Sequence, residues 1–165
     1  MIQRVVEAAK ASNPTLGVAV ATDDVRIAEH IRPFCDVVMT DANHPSGTDR
    51  CAEALEALGW DCDVVVNLQG DEPFIKSEQV DLLLSAFENP NTEIATLKIG
   101  IGEPEEIQNP NVVKVVCDVN DQALYFSRSP IPFNRNTASA ADGIQYYRHI
   151  GMYAFRADAL RRVAK

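Results

Sequence analysis

Short apolar runs alternate with amphipathic segments along the first hundred residues, and this alternation is the strongest constraint on the fold. The run 64–68 is almost continuously apolar, which is typical of a strand buried on both faces. The segment that follows has Val80, Leu83, Leu84 and Phe87 at the spacing of one helix face. Strands that alternate with helices are usually joined by βαβ crossovers. The pattern therefore predicts an α/β fold with a doubly wound, mostly parallel sheet.

The pattern changes after residue 108. The apolar runs 112–116 and 123–126 are separated by a short polar turn, which predicts an antiparallel hairpin, and a further strand-like run covers 150–155. We therefore expect one domain over residues 1–165, with an α/β core at about 1–108 and an antiparallel region at 109–156. Doubly wound domains usually open on a strand, whereas this chain opens and closes on helix-like segments, so we expect both termini to be truncated.

The charge balance limits the partners. The formal net charge is −9 and the pI is about 4.7, so nucleic acids and anionic membrane surfaces would be repelled. No apolar stretch approaches the roughly 18 residues that span a bilayer. The four cysteines include no C-x-x-C pair, and we interpret them as reduced thiols of a cytoplasmic protein.

Polar residues follow several of the predicted strands. Ligands of open α/β sheets bind outside the carboxyl ends of the strands, and Asp71 follows the apolar run 64–68 at such a position. A carboxylate there suits Mg²⁺, which prefers oxygen ligands. The alternative is a polar turn in which Glu72 caps the next helix, and the pattern leaves both open. The segment Thr22–Asp24 is more typical of a helix cap than of a binding site.

The segment 44–50, His-Pro-Ser-Gly-Thr-Asp-Arg, opens a predicted helix. Its free amides, the Ser46 and Thr48 hydroxyls and the Arg50 guanidinium are groups that bind a phosphate or a carboxylate. The competing interpretation is an ordinary N-cap by Ser46 with Asp49 in the first turn, and it is favoured for this segment taken alone.

Two segments of the antiparallel region carry basic side chains in an otherwise acidic chain. Arg128 follows the second hairpin strand, and His149 lies just before the last strand-like run. Such groups neutralise a substrate carboxylate. Composition alone favours the alternative, in which they are solvated hairpin ends.

Six motifs in order resemble one enzyme family, the 3-deoxy-D-manno-octulosonate cytidylyltransferases, or CMP-Kdo synthetases. They lie at 20–23, 44–50, 66–73, 109–116, 123–128 and 148–153. The resemblance implies a glycosyltransferase-A-like nucleotidyltransferase fold and transfer of CMP from CTP to 3-deoxy-D-manno-octulosonate (Kdo) for lipopolysaccharide synthesis, with release of pyrophosphate. It also implies Mg²⁺ as cofactor and a homodimer formed through the antiparallel region.

The resemblance also assigns roles to residues of this chain. It implies that Asp71 is the catalytic carboxylate and Mg²⁺ ligand. It implies nucleotide contacts from Thr22, Asp23, Ser46, Gly47, Thr48, Arg50 and Gln69. It implies a Kdo pocket formed by Gln69, Arg128, His149 and Tyr153, with Arg128 facing the sugar carboxylate. Family members carry a basic glycine loop and a second metal-binding aspartate that have no counterpart in this sequence, so we expect this chain to be impaired as an enzyme on its own.

Three other functions remain open at this stage. A CMP-sialic acid synthetase would share the fold and the cytidine donor. A receiver-like signalling domain would use Asp23, Asp24 and Asp71 with Lys98 or Lys114. A non-catalytic ligand-binding remnant is the third.

Overall fold

The computed structural model describes residues 1–13, 16–72, 74–135 and 143–164. The helices are α1 (Ile2–Ser12), α2 (Val25–Ile31), α3 (Gly47–Leu58), α4 (Ser77–Ser85), α5 (Pro104–Gln108) and α6 (Ala157–Val163). The strands are β1 (Ala19–Thr22), β2 (Asp36–Met39), β3 (Val64–Asn67), β4 (Ile94–Gly100), β5 (Lys114–Cys117), β6 (Ala123–Ser127) and β7 (Tyr147–Arg156). The chain forms two compact units, one of Met1–Ala95 with Met152–Lys165 and one of Thr96–Gly151.

The first unit contains a parallel strand pair covered by helices. Strands β1 and β2 run in the same direction, with Thr22 opposite Met39 at their carboxyl ends. Val6 of α1, Val20 of β1 and Ile31 of α2 form one buried cluster. Apolar residues of α1 and α2 therefore pack on this pair. Val25 and Ile27 of α2, which the helical periodicity predicts to face inward, are instead exposed.

A second core of the first unit lies around β3. Leu55 of α3 packs with Phe155 of β7 and Leu160 of α6. Strand β3 pairs antiparallel with the C-terminal half of β7, so that Asn67 lies opposite Tyr153. This pairing leaves the carboxyl end of β3 beside Tyr153.

The second unit is antiparallel. Strands β5 and β6 form the predicted hairpin, and β5 also pairs antiparallel with the N-terminal half of β7. The Asp118 carboxylate accepts hydrogen bonds from the amides of Asn120 and Gln122, which closes the turn. Asp121 takes a left-handed conformation there with φ of 62°.

The α/β class is confirmed, but the strand pairing is mixed. Among the described residues, β1 pairs with β2 in parallel, whereas β7 runs antiparallel to both β3 and β5. The prediction of a mostly parallel sheet is therefore not confirmed. An apolar run indicates burial of a strand but carries no information about its direction, and β7 comes from a distant part of the chain.

The start of α2 refines the predicted cap. Asp24 is the N-cap residue, and its carboxylate accepts a hydrogen bond of 2.8 Å from the Arg26 amide. Thr22 instead ends β1, and its hydroxyl oxygen accepts from the Asp24 amide at 3.1 Å.

Within the described residues, no helix combines the length and the apolar character that a membrane crossing needs.

Candidate functional site

The first turn of α3 is fixed by its cap. The Asp49 amide donates to the Ser46 hydroxyl oxygen at 3.2 Å, and the Ser46 hydroxyl donates to the Asp49 carboxylate. The N-cap interpretation of Ser46 is therefore confirmed. A cap does not exclude ligand binding, because the amides of Gly47 and Thr48 precede the first intrahelical bonds and stay available to an anion.

Arg50 connects this turn to the ends of the parallel strand pair. Its Nη1 atom donates to the Thr40 hydroxyl at 2.5 Å and lies 3.0 Å from the Asp23 carboxylate. Asp23 follows β1 and Thr40 follows β2. The structure thus places Asp23 and Arg50, both predicted nucleotide contacts, in one network with Thr22 at the end of β1.

Gln69 lies against the start of α3. A Cβ atom built on Gly47 would stand 3.3 Å from Gln69 Nε2 and 3.8 Å from Asn67 Nδ2. A side chain at position 47 would therefore have to displace Gln69 by a few tenths of an ångström. The polar residues that follow β3 therefore meet the first turn of α3, as the interpretation of both segments as one site requires.

Asp71 lines a cavity of about 350 Å³ together with Glu72, Phe74, Ile75 and Gln79. Its carboxylate is exposed to solvent. No group of three or more His, Cys, Asp or Glu side chains that could hold a metal ion occurs among the described residues. A Mg²⁺ ion suits this setting only if substrate phosphates and waters complete its shell, which is the usual arrangement for Mg²⁺ with one or two carboxylates.

The alternative interpretation of this turn, in which Glu72 caps α4, is wrong. The residue that precedes α4 is Lys76, and its amide donates to the Gln79 side-chain oxygen at 2.9 Å. The cap of α4 therefore does not involve the carboxylates at 71 and 72.

A second contact fixes the loop before α3. The His44 imidazole hydrogen bonds the Glu53 carboxylate, which also accepts from the Asp41 amide at 3.0 Å. The hydrogen bond from the Asp41 amide lowers the pKa of Glu53, and the hydrogen bond with His44 is the next largest cause of the shift. The position of Thr40 after an apolar run marks it as a candidate in the sequence. Sequence reasoning missed Glu53 and Asn67, because their partners are set by the tertiary structure, and the only sequence signal for Asn67 was its position at a strand end.

In the second unit, the two basic residues make defined contacts. Arg128 donates from Nη1 to the Pro110 carbonyl at 2.9 Å. His149 Nε2 lies 2.9 Å from the Thr96 hydroxyl, and the imidazole meets the Phe126 ring edge-on with centroids 5.0 Å apart. Burial lowers the pKa of His149. His149 is thus not a solvated hairpin end.

Tyr153 lies in the first unit. Its ring stacks on that of Phe155 at a centroid separation of 6.0 Å, and burial raises the pKa of its phenol. Because Tyr153 is opposite Asn67 in the pairing of β3 with β7, it lies near the strand end that leads to Gln69.

The receiver-like alternative is not favoured. Asp24 caps α2, Lys98 pairs with Asp121 at 2.5 Å and lies over the Tyr147 ring, and Lys114 hydrogen bonds main-chain carbonyls. Each of these three side chains therefore has a structural partner, which is not the arrangement that a receiver domain's phosphorylation site requires.

These features define a class. Polar residues gathered at strand carboxyl ends, beside the amide end of a capped helix, are typical of α/β proteins that bind nucleotides. A family model described as Cytidylyltransferase matches residues 1–165. The chain belongs to the cytidylyltransferase family.

Relatives and a solved structure agree with this assignment. The 3-deoxy-manno-octulosonate cytidylyltransferase of Phocaeicola vulgatus is 51% identical over 150 residues, which cover 87% of this chain and 60% of the relative. The enzyme of the same description from Porphyromonas gingivalis is 47% identical over 169 residues, covering 99% and 66%. A structure of CMP:2-keto-3-deoxy-manno-octonic acid synthetase complexed with CTP matches with a TM-score of 0.88 and 40% identity, covering 98% of this chain and 65% of that one. The chain thus spans about 60–66% of the length of these two relatives.

Proposed function

We propose that the protein transfers CMP from CTP to Kdo and releases pyrophosphate. The observation that carries this proposal is the convergence of Asp23, Arg50, Gly47 and Gln69 on the first turn of α3, in a chain that matches a CTP-bound synthetase with a TM-score of 0.88. In the reaction, the anomeric 2-hydroxyl oxygen of Kdo bonds to the α-phosphorus of CTP. The bond from that phosphorus to the oxygen bridging the β-phosphate breaks, pyrophosphate leaves, and the hydroxyl proton passes to solvent.

The first unit supplies the nucleotide contacts. The amides of Gly47 and Thr48 and the Arg50 guanidinium bind polar and anionic groups of CTP, with Thr22, Asp23, Ser46 and Gln69 around them. Hydrogen bonds from ionised donors are stronger than neutral ones, so Arg50 contributes most to orientation. Group transfer at phosphorus depends mainly on positioning and charge neutralisation, and no protein nucleophile is required.

Asp71 is the carboxylate for Mg²⁺ in this proposal. Its support is an exposed carboxylate that lines a cavity of about 350 Å³ and follows Gln69 by two residues in the chain. Bound Mg²⁺ would neutralise the negative charge of the CTP phosphates. The Asp71 carboxylate would hold the ion at the turn after β3.

Arg128 and His149 are the proposed sugar contacts of the second unit. Tyr153 and Gln69 are the proposed sugar contacts of the first unit. Arg128 pairs with the Kdo carboxylate because a guanidinium presents two parallel donors to it. His149 has a lowered pKa, so its neutral imidazole acts as a hydrogen-bond partner to a sugar hydroxyl near pH 7. The relatives named above support Kdo rather than sialic acid as the acceptor.

A homodimer through the antiparallel region fits the exposed apolar surface of β6. Leu124 is 66% exposed and Tyr125 is 64% exposed. Among the described strands, β6 pairs only with β5, so its outer edge can accept another strand. All four cysteines are free thiols, which fits the proposed cytoplasmic location.

The proposal is tested first by measuring CTP binding and then by measuring turnover. Isothermal titration of CTP, with and without Mg²⁺, should give saturable binding that Mg²⁺ strengthens, and UTP should bind more weakly. Asp71→Asn should remove the Mg²⁺ effect and leave Mg²⁺-free CTP binding unchanged. A pyrophosphate-release assay with CTP, Kdo and Mg²⁺ should show turnover, and sialic acid should give none.

Each arm has a contrary outcome. Absence of CTP binding would refute the nucleotide site. An unchanged Mg²⁺ effect in Asp71→Asn would refute the metal assignment alone. Equal turnover with Kdo and with sialic acid would refute the assignment of Kdo as the acceptor.

A further inference from the structure

The Lys114 side chain is completely buried at the start of β5. Its ammonium donates to three main-chain carbonyls, those of Asn109 at 2.9 Å, Val112 at 2.7 Å and Arg128 at 2.5 Å. An ammonium has three donors, so the whole hydrogen-bonding capacity of Lys114 is used on the backbone of its own unit.

This burial is unusual because the charge has no opposite charge beside it. Within the described ranges, no carboxylate lies within ion-pair distance of Lys114, and burial together with the neighbouring Arg128 charge lowers its pKa. Burying a charge is unfavourable, whereas an apolar replacement would leave the three carbonyls without this donor. The hydrogen bonds of Lys114 therefore offset the cost of its burial and fix the backbone groups that they join.

The three carbonyls show what the ammonium joins. Two belong to the turn Asn109–Val112, and the third belongs to Arg128, which follows β6. The Arg128 guanidinium also donates to the same turn, at the Pro110 carbonyl. Arg128 is thus tied to one turn both through its backbone, by Lys114, and through its own side chain.

We propose that Lys114 is a positioning residue for Arg128, fixing the backbone from which the guanidinium reaches the carboxylate of the sugar acid. This inference rests on the proposed function of Arg128 in the sugar subsite. The buried charge also adds to the positive potential around Arg128, which favours an anion at that place over a neutral sugar.

The experiment compares two affinities in one set of variants of the full chain. Lys114→Met keeps the length of the side chain and removes its charge and donors, and Lys114→Arg keeps the charge with a different head group. Lys98→Met is the control, since Lys98 is also a paired lysine of the same unit. The dissociation constants of Kdo and of CTP are measured by titration calorimetry, and unfolding temperatures are recorded.

The expected result is a selective loss. Lys114→Met should weaken Kdo binding by about tenfold or more, because misplacement by about 1 Å has effects of that size. CTP binding should change less than about twofold, Lys114→Arg should lose less than Lys114→Met, and Lys98→Met should bind Kdo normally. In the double variant with Arg128→Ala, the loss should not exceed that of Arg128→Ala alone, as expected for residues that act as a unit.

Other outcomes overturn the inference. Wild-type Kdo affinity in Lys114→Met, or parallel losses of Kdo and CTP affinity that follow the unfolding temperature, would show a merely structural lysine. If Lys114→Met does not fold, a folded Lys114→Arg with unchanged Kdo affinity overturns the inference, and a selective loss supports it. Unchanged Kdo affinity in Arg128→Ala would instead refute the sugar subsite itself.

Discussion

Replacing Arg50 by methionine tests the network at the nucleotide site. Methionine keeps most of the apolar stem of arginine but cannot donate to Thr40 or pair with Asp23. The hydrogen bond from a charged donor to the buried Thr40 hydroxyl contributes about 1.5 kcal/mol at the lower end of such bonds. In the ion pair with Asp23 the two side chains are 21% (Arg50) and 43% (Asp23) exposed, so solvent screens it and it contributes less than about 1 kcal/mol.

We therefore expect Arg50→Met to lower the free energy of unfolding by about 1.5–2.5 kcal/mol. For a chain of this size that corresponds to a fall of about 3–10 °C in the unfolding temperature. Arg26→Met is the matched control, because Arg26 also pairs with an aspartate but its side chain is 90% exposed. Its unfolding temperature should stay close to that of the wild type.

The same variant separates folding from binding. CTP at a hundred times its dissociation constant stabilises a protein by about 2.7 kcal/mol, and a tenfold weaker affinity removes about half of that gain. Thermal unfolding with and without CTP should thus show a reduced CTP-induced shift in Arg50→Met and a full shift in Arg26→Met. A full CTP-induced shift in Arg50→Met would refute the placement of Arg50 in the nucleotide site, and an unchanged unfolding temperature would refute the energetic reasoning.

Three further changes have defined outcomes. Gly47→Ala should push Gln69 aside by a few tenths of an ångström and weaken CTP binding severalfold in calorimetry. Gly102→Ala is the control, because a Cβ atom there has no neighbour within 4 Å, and its CTP affinity should stay unchanged. Equal CTP affinities of the two variants would contradict the role of the close approach. Burial raises the pKa of Cys51 to about 11, so iodoacetamide at pH 8 should label it far more slowly in the native chain than in urea, and equal labelling by mass spectrometry would count against this. Hydrogen bonds from the neighbouring arginine lower the pKa of Asp24 from 3.8 to about 2, so its stabilising effect is present above pH 4 and lost as the pH falls towards 2. The stability advantage of the wild type over Asp24→Ala in denaturant titrations should vanish over that window, and an advantage that persists at pH 2 would contradict the assignment.

Local patterns predicted much of the secondary structure. The apolar face of α4, the continuous run of β3 and the hairpin of β5 and β6 follow from periodicity within a few residues of sequence. The short helix α5 (Pro104–Gln108) was not predicted, because its five residues are mostly polar and give no apolar stripe. The direction of β7 depends on its partners rather than on its own composition.

The candidate site likewise contains residues that the sequence indicates and contacts that only the folded structure shows. Ser46, Thr48 and Arg50 were candidates because they lie together in one segment at a predicted helix start, and only the family resemblance assigned them and Gly47 to the nucleotide. The contact of Arg50 with Asp23 joins separate segments, and the burial of Lys114 depends on carbonyls of two different loops. Such contacts have no local signal, and only the folded chain brings their partners together.

The two hydrogen bonds of the Ser46 cap bear on how tightly the proposed nucleotide site would bind an anion. Its hydroxyl both accepts from the Asp49 amide and donates to the Asp49 carboxylate, so the turn that presents the Gly47 and Thr48 amides is rigid before any ligand arrives. A preorganised turn loses little conformational entropy when an anion binds. Affinity at this place is therefore set largely by how well the ligand's shape and charge fit, since the ordering was completed when the chain folded.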